Sequence, residues 1–131
     1  MQVRDIRLRS YWEALAFLGN RRSRKLCNNT WVDSNLSGEC IGIRFYETTI
    51  VQYARKGDII LNSGGYLTAT TRERINKLLP DYWVLYQEKW KWTLHTSDRS
   101  LVFPFADGMV LSPILTGLDG WTVTYPRTVQ A

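Results

Sequence analysis

The sequence predicts an α+β fold: an antiparallel β-sheet, built as a meander plus hairpins, either open or partly closed into a barrel, carrying two short helices. Three observations predict it. Apolar residues alternate from Glu39 to Leu61 with the period of a half-buried strand. Two segments, after Ser10 and after Thr70, carry helix-start signals followed by helical apolar spacing. Six Trp, seven Tyr and four Phe in 131 residues favour pleated, packed surfaces. That length suits one domain over residues 1–131, large enough to bury a core without disulfides or metals.

Taken in order, residues 1–9 set Val3, Ile6 and Leu8 against Arg4, Arg7 and Arg9, as an edge strand or an arm would. Ser10 with Glu13 three residues on predicts a capped helix over Tyr11–Leu18, with Leu15 and Leu18 inward and Gly19-Asn20 ending it. Arg21, Arg22, Arg24 and Lys25 then form the densest charge in the chain. It reads as a phosphate grip or as a solvated loop or strand edge that discourages aggregation. Asn28-Asn29-Thr30 is a turn. Ile41, Ile43 and Phe45, then Val51 and Tyr53, then Ile59–Asn62 make a three-stranded meander, with turns at Tyr46–Thr48 and Arg55–Asp58.

The most strongly written stretch is Gly57 to Pro80, GDIILNSGGYLTATTRERINKLLP. A buried strand leads to Gly64-Gly65, which permit a sharp turn. Thr70, with Glu73 at capping-box spacing, or its rival Thr71, starts a helix. Ile75, Leu78 and Leu79 form its apolar face, with Arg72, Arg74 and Lys77 elsewhere and Pro80 as the stop. A glycine turn at a helix N-terminus beside arginines suits an anion; equally, the glycines turn the chain and a threonine caps it. No phosphate-loop or dinucleotide fingerprint is present.

Tyr82–Gln87 and Lys89–Thr96 read as a hairpin about Glu88-Lys89. Trp90, Trp92 and Leu94 share its core face, and Lys89, Lys91, Thr93 and His95 the solvent face. Lys89 and Lys91 interleaved with tryptophan also suit a secondary surface for single-stranded nucleic acid. Leu101–Phe105 and Met109–Leu111 are further strands. Residues 112–131 extend the core as a loop and the strand Trp121–Tyr125.

The net charge of +5 equals the excess in residues 1–25, seven Arg or Lys over Asp5 and Glu13, so any anionic partner belongs near that segment. Cys27 and Cys40 lie thirteen apart without a second pair, and the single His95 completes no metal site. Free thiols in a reducing cytosol are expected, and no metal or cofactor. No apolar run approaches transmembrane length, so no membrane is expected as a partner.

Leu18-Gly19-Asn20-Arg21, Ser23-Arg24, Asn29-Thr30, the Gly57–Pro80 stretch and Phe105-Ala106-Asp107-Gly108-Met109 occur as ordered blocks over roughly residues 15–111. In these blocks the chain resembles a family of small uncharacterised proteins encoded by tailed bacteriophages, prophages and some actinobacterial mobile elements. The resemblance implies a phage-encoded accessory protein in the cytoplasm of an infected bacterium, with virion association left open. It implies no activity. Members often have His where this chain has Asn28 and Tyr46, so any role of those histidines is absent here.

Three function classes stand against these residues. An enzyme lacks a constellation: there is one His, and Asp58, Asp81, Glu88, Asp98, Asp107 and Asp119 sit mostly at turns, which leaves only an undetected two-carboxylate site. A non-enzymatic binder of nucleic acid or another anionic ligand would use Arg21, Arg22, Arg24, Lys25, Gly64, Gly65, Thr70, Thr71, Arg72 and Arg74, with Lys89 and Lys91 as a secondary surface. A protein-interaction module, whether a counter-defence protein against CRISPR or another bacterial system or a virion accessory protein, would use exposed tryptophans among Trp12, Trp31, Trp83 and Trp121.

Overall fold

A computed structural model describes residues 8–114 and 120–126, so the arm before Leu8 and parts of the C-terminal segment lie outside the described residues. Among the described residues, ten strands form two antiparallel sheets. The larger has the order β1(Ser23–Cys27), β2(Thr30–Ser34), β3(Cys40–Phe45), β4(Thr48–Ala54), β5(Ile59–Leu61), β9(Met109–Pro113), β10(Trp121–Thr124). The smaller is β6(Trp83–Glu88), β7(Lys91–Thr96), β8(Val102–Pro104). With β1 and β10 as its outer strands, the larger sheet stays open and does not close into a barrel. The expected meander is β3-β4-β5, and β1 and β2 extend it to five consecutive strands. β10 pairs with β9, so this strand continues the sheet and sets Trp121 stacked on Tyr82 and edge-on to Trp83.

Side-chain alternation decides which face of the large sheet is covered. Val32, Ile41, Ile43, Tyr53 and Leu61 are buried, while Trp31, Asp33, Gly42, Arg44 and Gln52 alternate with them and stay half-exposed. The outer face is polar: Arg44 Nε donates to Asp33 Oδ2 at 2.8 Å. Both helices therefore lie on the buried face. Tyr53 ties them together there, its hydroxyl reaching the carbonyls of Leu8, just before α1, and Leu78, in the last turn of α2.

Helix α1(Tyr11–Leu18) has the expected bounds and cap. Ser10 Oγ accepts from Glu13 N, and the Glu13 carboxylate accepts from Ser10 Oγ and Arg9 N. Its inward stripe is Tyr11, Ala14 and Leu18; Leu15 is exposed instead. Helix α2(Ala69–Leu78) begins two residues earlier than the Thr70-Glu73 spacing suggests. Thr68 is the N-cap, its Oγ1 accepting from Thr71 N, and Thr70 falls inside the first turn. The amide of Asn76 then clamps α2 to the free edge of β6: Nδ2 donates to Leu85 O at 2.8 Å and Leu85 N donates to Oδ1 at 2.7 Å. One side chain thus satisfies both backbone groups of an edge-strand residue, as a neighbouring strand would.

The second hairpin turns one residue later than expected. Glu88 pairs with Lys91, so Lys89 and Trp90 form a two-residue loop, both with positive φ (48° and 69°). That shift removes Trp90 from the core face. Trp92, Leu94 and Thr96 are buried on one side, and His95 is buried on the other, edge-on to Tyr86, rather than facing solvent.

Candidate binding site

The turn after β3 and the loop after β5 border an open concavity. Pairing shifts between Ile43 and Arg44, where Val51 and Thr49 are their successive partners and Ile50 is left as the extra residue of a bulge. Ile50 and Val51 are consequently both buried, and Ile50 becomes the apolar floor of an open pocket of about 590 Å³. Phe45, Tyr46, Tyr66, Ser63, Thr68, Thr70 and Thr71 contribute to its walls. The lining is aromatic and hydroxylic, with Glu47 as its one charged side chain.

The glycine loop is built to hold this shape. Asp107 Oδ1 accepts from Ser63 N at 2.7 Å and from Ser63 Oγ at 2.8 Å, and Ser63 Oγ in turn accepts from Gly65 N at 3.1 Å. The loop after β5 and the Asp107-Gly108 turn are therefore one hydrogen-bonded unit, sealed by Gly108 N donating to Leu61 O. Gly64, at φ 65°, passes so close to β4 that an added Cβ would lie 2.7 Å from Thr48 Cγ2. Since Gly65 N–H is already bonded within the loop, the glycines shape the pocket and do not cradle an anion through that group.

The basic residues proposed for an anion surface do not converge. Strand alternation splits the run at β1. Lys25 pairs with Trp31 on the outer face, whereas Arg24 turns to the helix face, donates to Phe17 O at 2.7 Å and stacks on the Phe17 ring at 4.3 Å. Arg24 is thus spent on the end of α1. Arg21 and Arg22 are exposed beside β1, at the end of that strand away from the pocket. Arg72 donates to Gln87 Oε1 at 2.8 Å.

Arg74 is the clearest correction. It is only 6% exposed, lying over the Phe45 ring at 4.5 Å with Nη1 directed at Cys27 Sγ at 3.6 Å. Its Nε has no partner, and no carboxylate among the described residues pairs with it. Helical arithmetic contained the signal, since Thr71, Arg74, Ile75 and Leu78 fall on one stripe. Arg74 therefore lies behind Phe45 in the middle of α2, and no basic side chain lines the pocket.

Neighbouring turns crowd the same end. Tyr46 N donates to Asn29 O at 2.8 Å, and Asn29 Nδ2 donates to Tyr46 Oη at 3.0 Å. The turns at Asn28-Asn29 and at Tyr46 are thus adjacent, and Tyr46 is on the pocket wall. Asn76 on Leu85 and Arg72 on Gln87 show that β6 runs towards the start of α2. Arg72 on Gln87 therefore sets the Lys89-Trp90 end of β6 beside the first turn of α2, the helix end that carries the pocket residues Thr68, Thr70 and Thr71.

Elsewhere, among the described residues no three His, Cys, Asp or Glu side chains group as metal ligands. Cys27 and Cys40 are both free, Cys27 buried and Cys40 half-buried. No helix among the described residues is long and apolar enough to cross a membrane. Of the expected aromatic anchors, Trp12 is exposed, Trp31 and Trp121 are half-buried and Trp83 is core.

Fold and site together define a β-rich α+β protein with an aromatic, hydroxyl-lined pocket. The chain belongs to the Kyanoviridae Gp96 protein family, a family of phage proteins whose family model matches residues 11–112. No curated protein and no solved structure matches it.

Proposed function

We propose that the protein is a non-enzymatic binding protein that takes single-stranded nucleic acid at the end of the molecule where the pocket opens. The observation that carries this reading is the pocket itself: rings of Phe45, Tyr46 and Tyr66 over an Ile50 floor, beside the start of α2 and the buried Arg74. Unpaired bases stack on such rings with little sequence preference. Hydroxyls of Thr48, Ser63 and Thr70 suit base edges and sugars, and Glu47 accepts from exocyclic amino groups while keeping phosphates to the α2 side. A duplex, with its bases stacked internally, offers the pocket nothing comparable.

Fluorescence anisotropy with labelled single-stranded and duplex oligonucleotides over a salt series tests this. Single strands bind more tightly than duplex, affinity falls with salt, and Tyr66→Ala weakens binding by about 5-fold or more, the lower range for loss of one stacking ring. Absence of single-strand binding at low salt would refute the reading.

A second reading, a protein-interaction module of counter-defence or virion accessory type, is favoured by one different surface. Trp12 is 58% exposed on α1, Leu36 is 92% exposed on the turn before β3, and Tyr11 Oη donates to Gly38 O, which holds that turn against α1. Co-purification with and without nuclease separates the two: a single stoichiometric protein that survives nuclease and is lost with Trp12→Ala puts the module first.

A further inference from the structure

The β6–β7 tip does not make sense as a folding element. Two-residue hairpin loops with both residues at positive φ strongly favour Asn-Gly or Asp-Gly, because a side chain in that conformation is strained. Here Lys89 and Trp90 occupy the two positions, and neither is rescued by packing: Trp90 is 89% exposed. Six successive residues, Tyr86 to Lys91, are exposed, so the tip stands out from the body as an arm. Strain retained in a solvent-facing indole is characteristic of a contact surface rather than of a core. The indole is flanked by two exposed lysines, a pairing of stacking face and phosphate contacts. The arm is held in place from behind by Asn76 on Leu85 and Arg72 on Gln87.

We infer that Trp90 is a second stacking point for the nucleic-acid ligand, with Lys89 and Lys91 as its phosphate contacts, so that the ligand is a strand bridging pocket and arm rather than a mononucleotide. This inference rests on the nucleic-acid reading above. It makes a prediction that a structural role for Trp90 would not: the double variant K89N/W90G, which installs the favoured turn, is more stable than the parent yet binds less tightly.

The test measures thermal midpoint and anisotropy-derived affinity for the parent, K89N/W90G and Tyr66→Ala, using thymidine monophosphate and oligothymidylates of increasing length. The expected result is a rise in midpoint of about 3 °C for K89N/W90G. With it comes a loss of oligonucleotide affinity of about 5-fold or more, and a parent that gains affinity with length where K89N/W90G gains little. A lower midpoint for K89N/W90G would make the turn structural and overturn the inference. Unchanged oligonucleotide affinity in K89N/W90G, with Tyr66→Ala weakened, would overturn the arm and leave the pocket reading intact. No oligonucleotide binding by the parent would overturn both.

Discussion

The two loops that flank the start of α2 are built on opposite principles. In the Ser63–Thr68 loop the demanding backbone is matched by the residue that tolerates it and by partners that hold it: Gly64 and Gly65 take the positive φ values, Asp107 binds Ser63, and Thr68 caps the helix. At the Lys89-Trp90 tip the backbone is equally demanding, yet the residues are poor ones for it and the tryptophan is bare. The first loop is explained by folding. The second is not, and the proposed contact role of Trp90 is what would account for it. Of the five non-glycine residues with positive φ among the described residues, Asn29, Tyr46, Lys89 and Trp90 all lie at this end.

Substitutions that break the well-made loop have the largest expected effect. Gly64→Ala places a Cβ against Thr48 in a conformation that already disfavours it, and costs about 3 kcal/mol in denaturant unfolding. Asp107→Ala leaves Ser63 N–H and hydroxyl without their acceptor and costs about 2 kcal/mol by the same measurement. Both also weaken ligand binding by loosening the pocket wall. Unchanged stability in both Gly64→Ala and Asp107→Ala would mean that the loop is not the fixed half of the comparison.

Arg74 sharpens the comparison from inside. Arg74→Met keeps the apolar stem and removes a buried charge that has no carboxylate partner, so stability is expected to be unchanged or to rise by about 1 kcal/mol. Oligonucleotide affinity is expected to fall in the same variant, which thermal melting and anisotropy together detect. A large loss of stability would show instead that the guanidinium holds Phe45 and Cys27 in place.

The smallest effect concerns the opposite end of the hairpin, where strain is compensated. Arg99, at φ 62°, sits in a turn in which Asp98 accepts from Ser100 N, Ser100 Oγ and Thr96 Oγ1. These bonds, chiefly those from Ser100, lower the Asp98 carboxyl from its ordinary 3.8 to about 2. The folded form therefore binds its proton less readily than the unfolded chain. The stabilisation is fully present above pH about 4 and is lost as pH falls towards about 2. Asp98→Asn should flatten that part of an acid-unfolding curve slightly and leave binding unchanged. Burial acts in the other direction on Tyr53, whose hydroxyl is pushed well above its ordinary 10.0. Its contribution is complete below pH 10 and declines as the unfolded tyrosine ionises above it.

The contrast between the loops also explains what could be read from the chain. Helix α1, the β3-β4-β5 meander and the strand into Gly64-Gly65 were legible because periodicity, caps and turn residues agree there. The start of α2 lies two residues earlier than its capping-box spacing suggests because three threonines, Thr68, Thr70 and Thr71, offer competing caps and only the packing of Thr71 selects Thr68. The hairpin register was displaced because Lys89-Trp90 carries no turn signal, so Trp90 was read as core. The site itself was legible in part. Gly64, Gly65, Thr70 and Thr71 mark that stretch, but the bulge that sets Ile50 beneath the pocket and the approach of Asn29 to Tyr46 depend on pairing between strands, which no local pattern records. The basic run failed as a single surface because a strand sends neighbouring residues to opposite faces.

The most direct test of the account is a map of backbone and indole resonances of the intact chain as a single-stranded oligonucleotide is titrated in. The account predicts shifts concentrated at Tyr46, Tyr66, Thr70 and the Trp90 indole, with Trp12 and Leu36 unmoved. Shifts confined to Arg21, Arg22 and Lys25, or to the face bearing Trp12 and Leu36, would contradict it.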